Sequence, residues 1–173
     1  MLELDRIDLQ LLDALQHDGR ATNQSLGERV HLSASQISRR IQRLQDSGLL
    51  GQCVTLLPAA RIGLTVTAFT RVSLERHGEG RNDAFDAAVQ AMPEVLECHS
   101  VTGPCDYLLR IVAADLESFA RFMMNRLMRL PGVRSVESSV VLQEIKRTTA
   151  LPLGQTRPAT HPRGAASGSH GPV

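Results

Sequence analysis

Cysteine, lysine and long apolar runs are all scarce in this sequence. Its three cysteines form no CxxC pair, which argues against a disulfide framework or zinc ribbon and favours a reducing compartment. No apolar run approaches the ~18 residues that cross a bilayer, and the first residues do not resemble a secretory signal. Paired catalytic carboxylates, a nucleophile motif, a P-loop and a GxGxxG stretch are missing as well. Tryptophan is absent and tyrosine occurs once. Nor is there an excess of one charge, since 19 basic and 18 acidic side chains leave +1. Taken alone, that balance lowers the expectation of a nucleic-acid partner, because such proteins often carry net positive charge.

What is present is a chain of 173 residues, 42% of them hydrophobic, enough to build one domain or two small ones. Among its 19 basic residues, Lys146 is the single lysine and the rest are arginine. The planar guanidinium suits bidentate recognition better than an ammonium does, although an arginine excess reads first as a coding bias.

Three segments separate along the chain. Residues 1–60 read as helical. Asp5 is an N-cap with Asp8 in the first turn, and Leu4, Ile7, Leu11 and Leu15 recur at helical spacing until Asp18-Gly19. Thr22 caps a short second helix carrying Leu26 and Val30, in which Gly27 costs about 1 kcal/mol relative to alanine. Ser33 with Gln36 is a capping box, Ile37, Ile41 and Leu44 form one apolar stripe, and Gly48 ends the third helix. His31 stands in the tight turn where glycine is common, and histidine tolerates positive φ better than most residues.

Residues 64–147 change period. Val66, Ala68, Val72 and Leu74 alternate with polar residues as in a half-buried strand. A helix is expected over residues 82–92, two strands over 95–102 and 105–113 about a Gly103-Pro104 turn, and a helix capped by Asp115. A last strand is expected over 133–145. Met92-Pro93-Glu94-Val95 and Leu130-Pro131-Gly132-Val133 echo one another, giving two β-α-β units and hence a βαββαβ ferredoxin-like sandwich. The whole is an α+β chain. Residues 154–173 contain no acid and no aromatic, which predicts a disordered tail.

A short helix, a tight turn and a capped longer helix make the geometry of a helix-turn-helix. The solvent side of the third helix carries Ser35, Gln36, Arg39 and Arg43, with Arg40 and Gln42 at its edges and no acid before Asp46. Arginine pairs with guanine, glutamine with adenine, and serine with phosphate or either base. Three arginines within five positions repel one another, and a phosphate-rich partner would remove that repulsion. An ordinary solvated helix face remains the alternative. The candidate DNA-contacting residues are Ser33, Ser35, Gln36, Arg39, Arg40 and Arg43.

At this point the residues carry a resemblance. The opening Leu4-Asp5-Arg6-Ile7-Asp8, Asp18-Gly19-Arg20, and Leu32-Ser33 leading to Arg40-Ile41-Gln42-Arg43-Leu44 resemble the Lrp/AsnC family of leucine- and asparagine-responsive regulators. So do Glu97-Cys98-His99, residues 103–109, residues 129–133 and residues 150–153. The resemblance implies a cytoplasmic, bacterial-type transcription regulator with a winged helix-turn-helix and a RAM/ACT-like sandwich. It further implies binding to double-stranded promoter DNA, no enzymatic activity, no cofactor, no membrane, and assembly as a homodimer or octamer. A small effector, usually an amino acid, would lie at a subunit interface near the central hairpin. The matching positions are Thr102, Gly103, Pro104, Cys105 and Asp106, with Leu116, Ser139, Val140 and Val141 nearby. Gly103 would permit close backbone approach and Asp106 would pair with an α-ammonium group. A ligand-free turn and a turn-capping acid are the alternatives there, and Cys105 and Ser139 depart from the larger aromatics that the family often has.

Two other classes stand beside this one. Sirohaem decarboxylases resemble the family in architecture, but they imply aromatic- and histidine-rich pockets that this chain lacks. A metabolite sensor without DNA function would not need Arg39, Arg40 and Arg43. Cys98 is expected opposite Leu109 with Cys105 near Thr102, over 10 Å apart at the usual strand rise, so neither a disulfide nor shared zinc fits and buried thiols are expected.

Overall fold

The computed structural model describes residues 3–75 and 81–155. The expected tail from residue 154 lies outside the described residues, except that Gly154 and Gln155 belong to a short 3-10 turn, Leu153–Gln155. The chain forms two compact units, one from Met1–Val54 with Arg147–Val173 and the other from Thr55–Lys146.

The first unit is trihelical. Helix α1 (Arg6–His17) starts at a full capping box, Asp5 accepting from the Asp8 N–H and Asp8 from the Asp5 N–H. Helix α2 (Asn23–Val30) is capped by Thr22, whose hydroxyl accepts from the Ser25 N–H. The turn that follows places His31 in the left-handed region, at φ 57 and ψ 45, as the expected tolerance of histidine requires. Helix α3 (Ala34–Asp46) opens on the Ser33/Gln36 capping box. It closes with Gly48 at φ +73 and hydrogen bonds from the Gly48 and Leu49 N–H groups to the Gln45 and Leu44 carbonyls, a Schellman end. Leu11, Ala14, Leu26 and Ile37 form the core, with Ile7, Leu15, Val30, Leu32 and Ile41 packed at its margin. Each fully buried leucine or isoleucine contributes about 2 kcal/mol. The glycine inside α2 also has its reason, because a Cβ at Gly27 would collide with the Leu32 carbonyl oxygen. Among the described residues of this unit none is in a strand, and residues 51–58 have no regular structure where a wing would run. The returning chain lies on α1, where the Gln16 amide donates to the Leu151 carbonyl at 2.9 Å and accepts from the Leu151 N–H at 2.8 Å.

The second unit is a four-stranded antiparallel sheet with two helices. Its elements are β1 (Val66–Leu74), α4 (Arg81–Gln90), β2 (Val95–Ser100), β3 (Tyr107–Ala113), α5 (Leu116–Asn125) and β4 (Val133–Val140). The strand order β2-β3-β1-β4 is that of the expected βαββαβ sandwich. Ala68, Val72, Leu109 and Ile111 bury one sheet face against Phe85 and Val89 of α4 and Phe119, Phe122 and Met123 of α5. Within this apolar layer Thr70 is buried and its hydroxyl meets the Ser138 hydroxyl at 2.9 Å. Cys98 does pair with Leu109 across β2 and β3.

Several boundaries differ from expectation. The helix expected over 82–92 ends at Gln90, yet Met92 stays buried beyond it. The last strand stops at Val140 instead of residue 145, and Leu142 and Ile145 are exposed, because the chain leaves the sheet there. Ser73, expected on the polar side of its strand, is buried beside a register shift at Ser73/Leu74. The thiols are not buried either: Cys53 and Cys98 are exposed and Cys105 is intermediate, since Cys98 stands on the edge strand.

Candidate nucleic-acid interface and effector site

Helix α3 presents its polar residues as the spacing predicts. Ser33, Ser35, Gln36, Arg39 and Arg43 are exposed, while Arg40 is half-buried at the flank. The arginine cluster, however, is not uncompensated. Asp8 of α1 is wholly buried, and its carboxylate accepts from Arg40 Nη1 at 2.7 Å and from Arg43 Nη2 at 2.5 Å. The same Arg40 nitrogen donates to Asp5 Oδ2 at 2.8 Å. Repulsion between these arginines is therefore relieved from the neighbouring helix, which corrects the expectation that no acid compensates it and that a phosphate-rich partner would be what removes it. Burial alone would raise the Asp5 pKa, but the Asp8 N–H and the Arg40 guanidinium outweigh it and hold that carboxyl below its usual 3.8. Among the described residues, Arg39 is the arginine of α3 without an ion pair.

Gln36 is also partly committed. Its side-chain oxygen accepts from the Ser33 N–H and hydroxyl, each at 3.0 Å, so its amide nitrogen is the group left facing outward. Ser33 itself serves as the cap, its hydroxyl 3.1 Å from that of Ser35.

The buried role of Asp8 escaped sequence reasoning. A signal was present: Asp8 lies three and seven residues before Leu11 and Leu15, on the same helical face. An acid inside an apolar stripe requires a cationic partner, because burying an unpaired charge is costly.

The residues expected around the effector fall into two groups in one chain. Thr102, Gly103, Pro104, Cys105 and Asp106 lie at the β2–β3 hairpin, next to the end of β1 where Val72 pairs with Tyr107. Ser139, Val140 and Val141 lie at the other end, where Ala68 pairs with Val140 and the Val141 N–H donates to the Thr67 carbonyl. Leu116 opens α5 just after Ala113, which pairs with Val66 at that same far end. The seven residues of β3 span about 20 Å between the groups at ~3.3 Å per residue. Nearness of Leu116, Ser139, Val140 and Val141 to the hairpin is thus corrected for a single chain.

Asp106 braces the hairpin. Its carboxylate accepts from the Leu74 N–H at 2.7 Å, while its own N–H donates to the Val72 carbonyl at 3.0 Å. That supports the turn-capping alternative and corrects the picture of a carboxylate waiting for an ammonium group. Gly103 has φ +125, a conformation that other residues seldom adopt. At the start of β3, the pKa of the Tyr107 hydroxyl is pushed up to about 12 by burial and by Asp86.

The sheet face away from the helices bears Phe69, Arg71, Leu108 and Arg110. Phe69 is 43% exposed, an unusual state for so large an apolar side chain in a strand centre. Arg110 donates to Glu97 at 2.6 Å, and its Nε is buried without a partner among the described residues.

Comparison with known proteins bears on both units. Residues 4–45 match the model of the AsnC-type helix-turn-helix domain, and residues 67–151 match that of the Lrp/AsnC ligand binding domain. The leucine-responsive regulatory protein of Salmonella typhimurium is 36% identical over 149 residues, covering 86% of this chain and 91% of that protein. Its counterpart in Escherichia coli K12 is 35% identical over the same coverage. Among solved structures, a transcriptional regulator of Neisseria meningitidis in complex with L-Met is 42% identical with a TM-score of 0.84, covering 87% of this chain and 97% of that one. An AsnC family regulator from Agrobacterium tumefaciens is 32% identical with a TM-score of 0.83, over 87% and 98% of the two chains.

Proposed function

The chain belongs to the Lrp/AsnC family of transcription regulators, which are not enzymes, and from that premise we propose that it reads double-stranded promoter DNA through α3 under the control of an amino acid. The observation that carries the DNA reading is the outer face of α3, where an unpaired Arg39 stands with Ser35, the Gln36 amide and the exposed nitrogens of Arg43. Ser33 and Arg40 act by capping and bracing that helix. A duplex bound by two such helices would hold half-sites one helical turn apart.

The effector is an amino acid bound between subunits. Support comes from the Neisseria relative solved with L-Met, and from the split of the expected contacts between the two ends of the sheet. One small ligand does not bridge about 20 Å, so residues 102–106 of one copy and Leu116, Ser139, Val140 and Val141 of another would enclose it. Asp106 shapes that loop by accepting from the Leu74 N–H. The open sheet face with Phe69 and the unpartnered Arg110 Nε favours a homodimer, which higher assemblies such as an octamer would repeat. The molecule would act in the cytoplasm, where promoter DNA is found. No helix among the described residues is long and apolar enough to cross a membrane.

The test is binding to a duplex that the protein itself enriches from a random-sequence pool. Arg39→Ala should weaken binding about 5- to 150-fold at fixed salt, the loss of one base pairing worth ~1–3 kcal/mol. Affinity equal to wild type would remove α3 from the DNA interface.

A further inference from the structure

The buried Asp8 carboxylate sits behind the recognition surface and touches two of its three arginines. Arg40 Nη1 bridges Asp8 Oδ1 and Asp5 Oδ2, and the side chain is only 25% exposed. It has little left to offer DNA. Arg43 gives one nitrogen, Nη2, to Asp8 Oδ2 and remains 45% exposed. A guanidinium has five N–H donors in a planar fork, so the remaining edge of Arg43 faces outward with its plane already set. Asp8 is itself fixed, because its Oδ2 also accepts from the Asp5 N–H at 3.1 Å in the cap of α1. The two acids and three arginines leave a local charge near +1, much weaker than a bare triplet would carry.

We propose that Asp8 is a positioning residue of the DNA interface, which withdraws Arg40, orients Arg43 and so turns a sticky arginine cluster into a selective one. The inference rests on the reading of α3 as the DNA-contacting helix. Its physical basis is the division of protein–DNA binding into two parts. Phosphate attraction is sequence-blind and steeply salt-dependent, whereas base recognition depends on donor geometry. An arginine released from Asp8 gains a free charge for phosphates and loses the fixed plane that bidentate pairing needs. Asp8 therefore suppresses the first part and supports the second.

The experiment compares wild type, Asp8→Asn and Arg43→Lys on the self-selected duplex and on a random duplex of equal length, across a salt series. Circular dichroism and thermal melting establish that each variant is folded. Asp8→Asn should steepen the dependence of log affinity on log salt by about one or more, one freed arginine adding ~0.9. Its ratio of specific to random binding should fall about tenfold or more. Arg43→Lys keeps the charge but not the fork, so its salt slope should match wild type while its specificity ratio falls. A purely structural Asp8 would lower binding to both duplexes in parallel and leave slope and ratio unchanged, which overturns the proposal. Arg43→Lys with wild-type specificity overturns it equally, and decides the matter alone if Asp8→Asn does not fold. If wild type fails to discriminate the two duplexes, or Arg39→Ala binds as wild type, it is the DNA reading of α3 that falls. If those controls behave and only the Asp8 and Arg43 variants resemble wild type, the positioning role alone is lost.

Discussion

The helical unit and the sheet unit hold themselves together by different means. The sheet unit has a broad apolar layer in which Phe85, Leu109, Ile111 and Leu127 are almost wholly buried, and its buried polar groups are few hydroxyls. The helical unit buries five apolar residues among those described, Leu11, Ala14, Leu26, Ile37 and Leu44, and leans on capping boxes, a Schellman end and a buried carboxylate shared by two arginines. A small module buries a smaller fraction of its surface, so polar fixtures take a larger share of its stability. The difference also follows function. Under the proposed function the sheet unit would need a stiff frame for an interface, while the helical unit would need charges at its surface held in one arrangement.

The comparison can be broken most forcefully in the sheet unit. Phe85→Ala removes a ring 1% exposed, whose centroid lies 4.6 Å from that of Tyr107. It should cost about 3–5 kcal/mol, the range for emptying a buried aromatic site. Urea unfolding followed by segment-resolved hydrogen exchange should place the whole loss in residues 66–140 and leave α1 to α3 protected. Equal loosening of the helices would mean that the two units share one stability.

The second substitution is aimed at the helical unit. Stranding a buried ion pair costs about 3–5 kcal/mol, and the partial exposure of Arg40 and Arg43 brings the expectation for Asp8→Ala to about 2–3 kcal/mol. Exchange should now accelerate in α1 and α3 with the sheet unaffected. A loss below about 0.5 kcal/mol would show that apolar contacts alone hold the helices.

Acid gives the smallest effect. The folded Asp5 pKa lies below its ordinary 3.8, so its contribution is present above that value and disappears as pH falls through the lowered folded one. Glu97, lowered by Arg110, follows the same sign on the sheet edge, but no core residue depends on it. Exchange measured from pH 5 downward should loosen the start of α1 before the centre of β1. Loosening in the reverse order would contradict the assignment of polar fixtures to the helical unit.

Much of this was legible in local chemistry. Asp5, Thr22, Ser33 and Asp115 cap the helices they were expected to cap, because capping depends on residues within one turn. The Gly103-Pro104 turn set the register of β2 against β3, so Cys98 met Leu109 as expected. What was hidden depends on distant partners. Asp8 reads as an ordinary first-turn acid until α3 is packed against it, and that packing alters what Arg40 and Arg43 can do. Leu116 and Ser139 stand at the end of the sheet away from the hairpin in one chain, because the register of β1 against β3 and β4 separates them, and spacing along the sequence does not reveal that. The end of the last strand at Val140 was equally illegible, because Leu142 and Ile145 continue an apolar pattern although both are exposed.

The central claim is that the helical unit binds DNA and the sheet unit instructs it. The direct measurement is the affinity of the full chain for its self-selected duplex, at fixed protein and salt, in the presence of each of the twenty amino acids. The account predicts that at least one shifts the dissociation constant about 5- to 150-fold, a coupling of ~1–3 kcal/mol. The same affinity with every amino acid would contradict it.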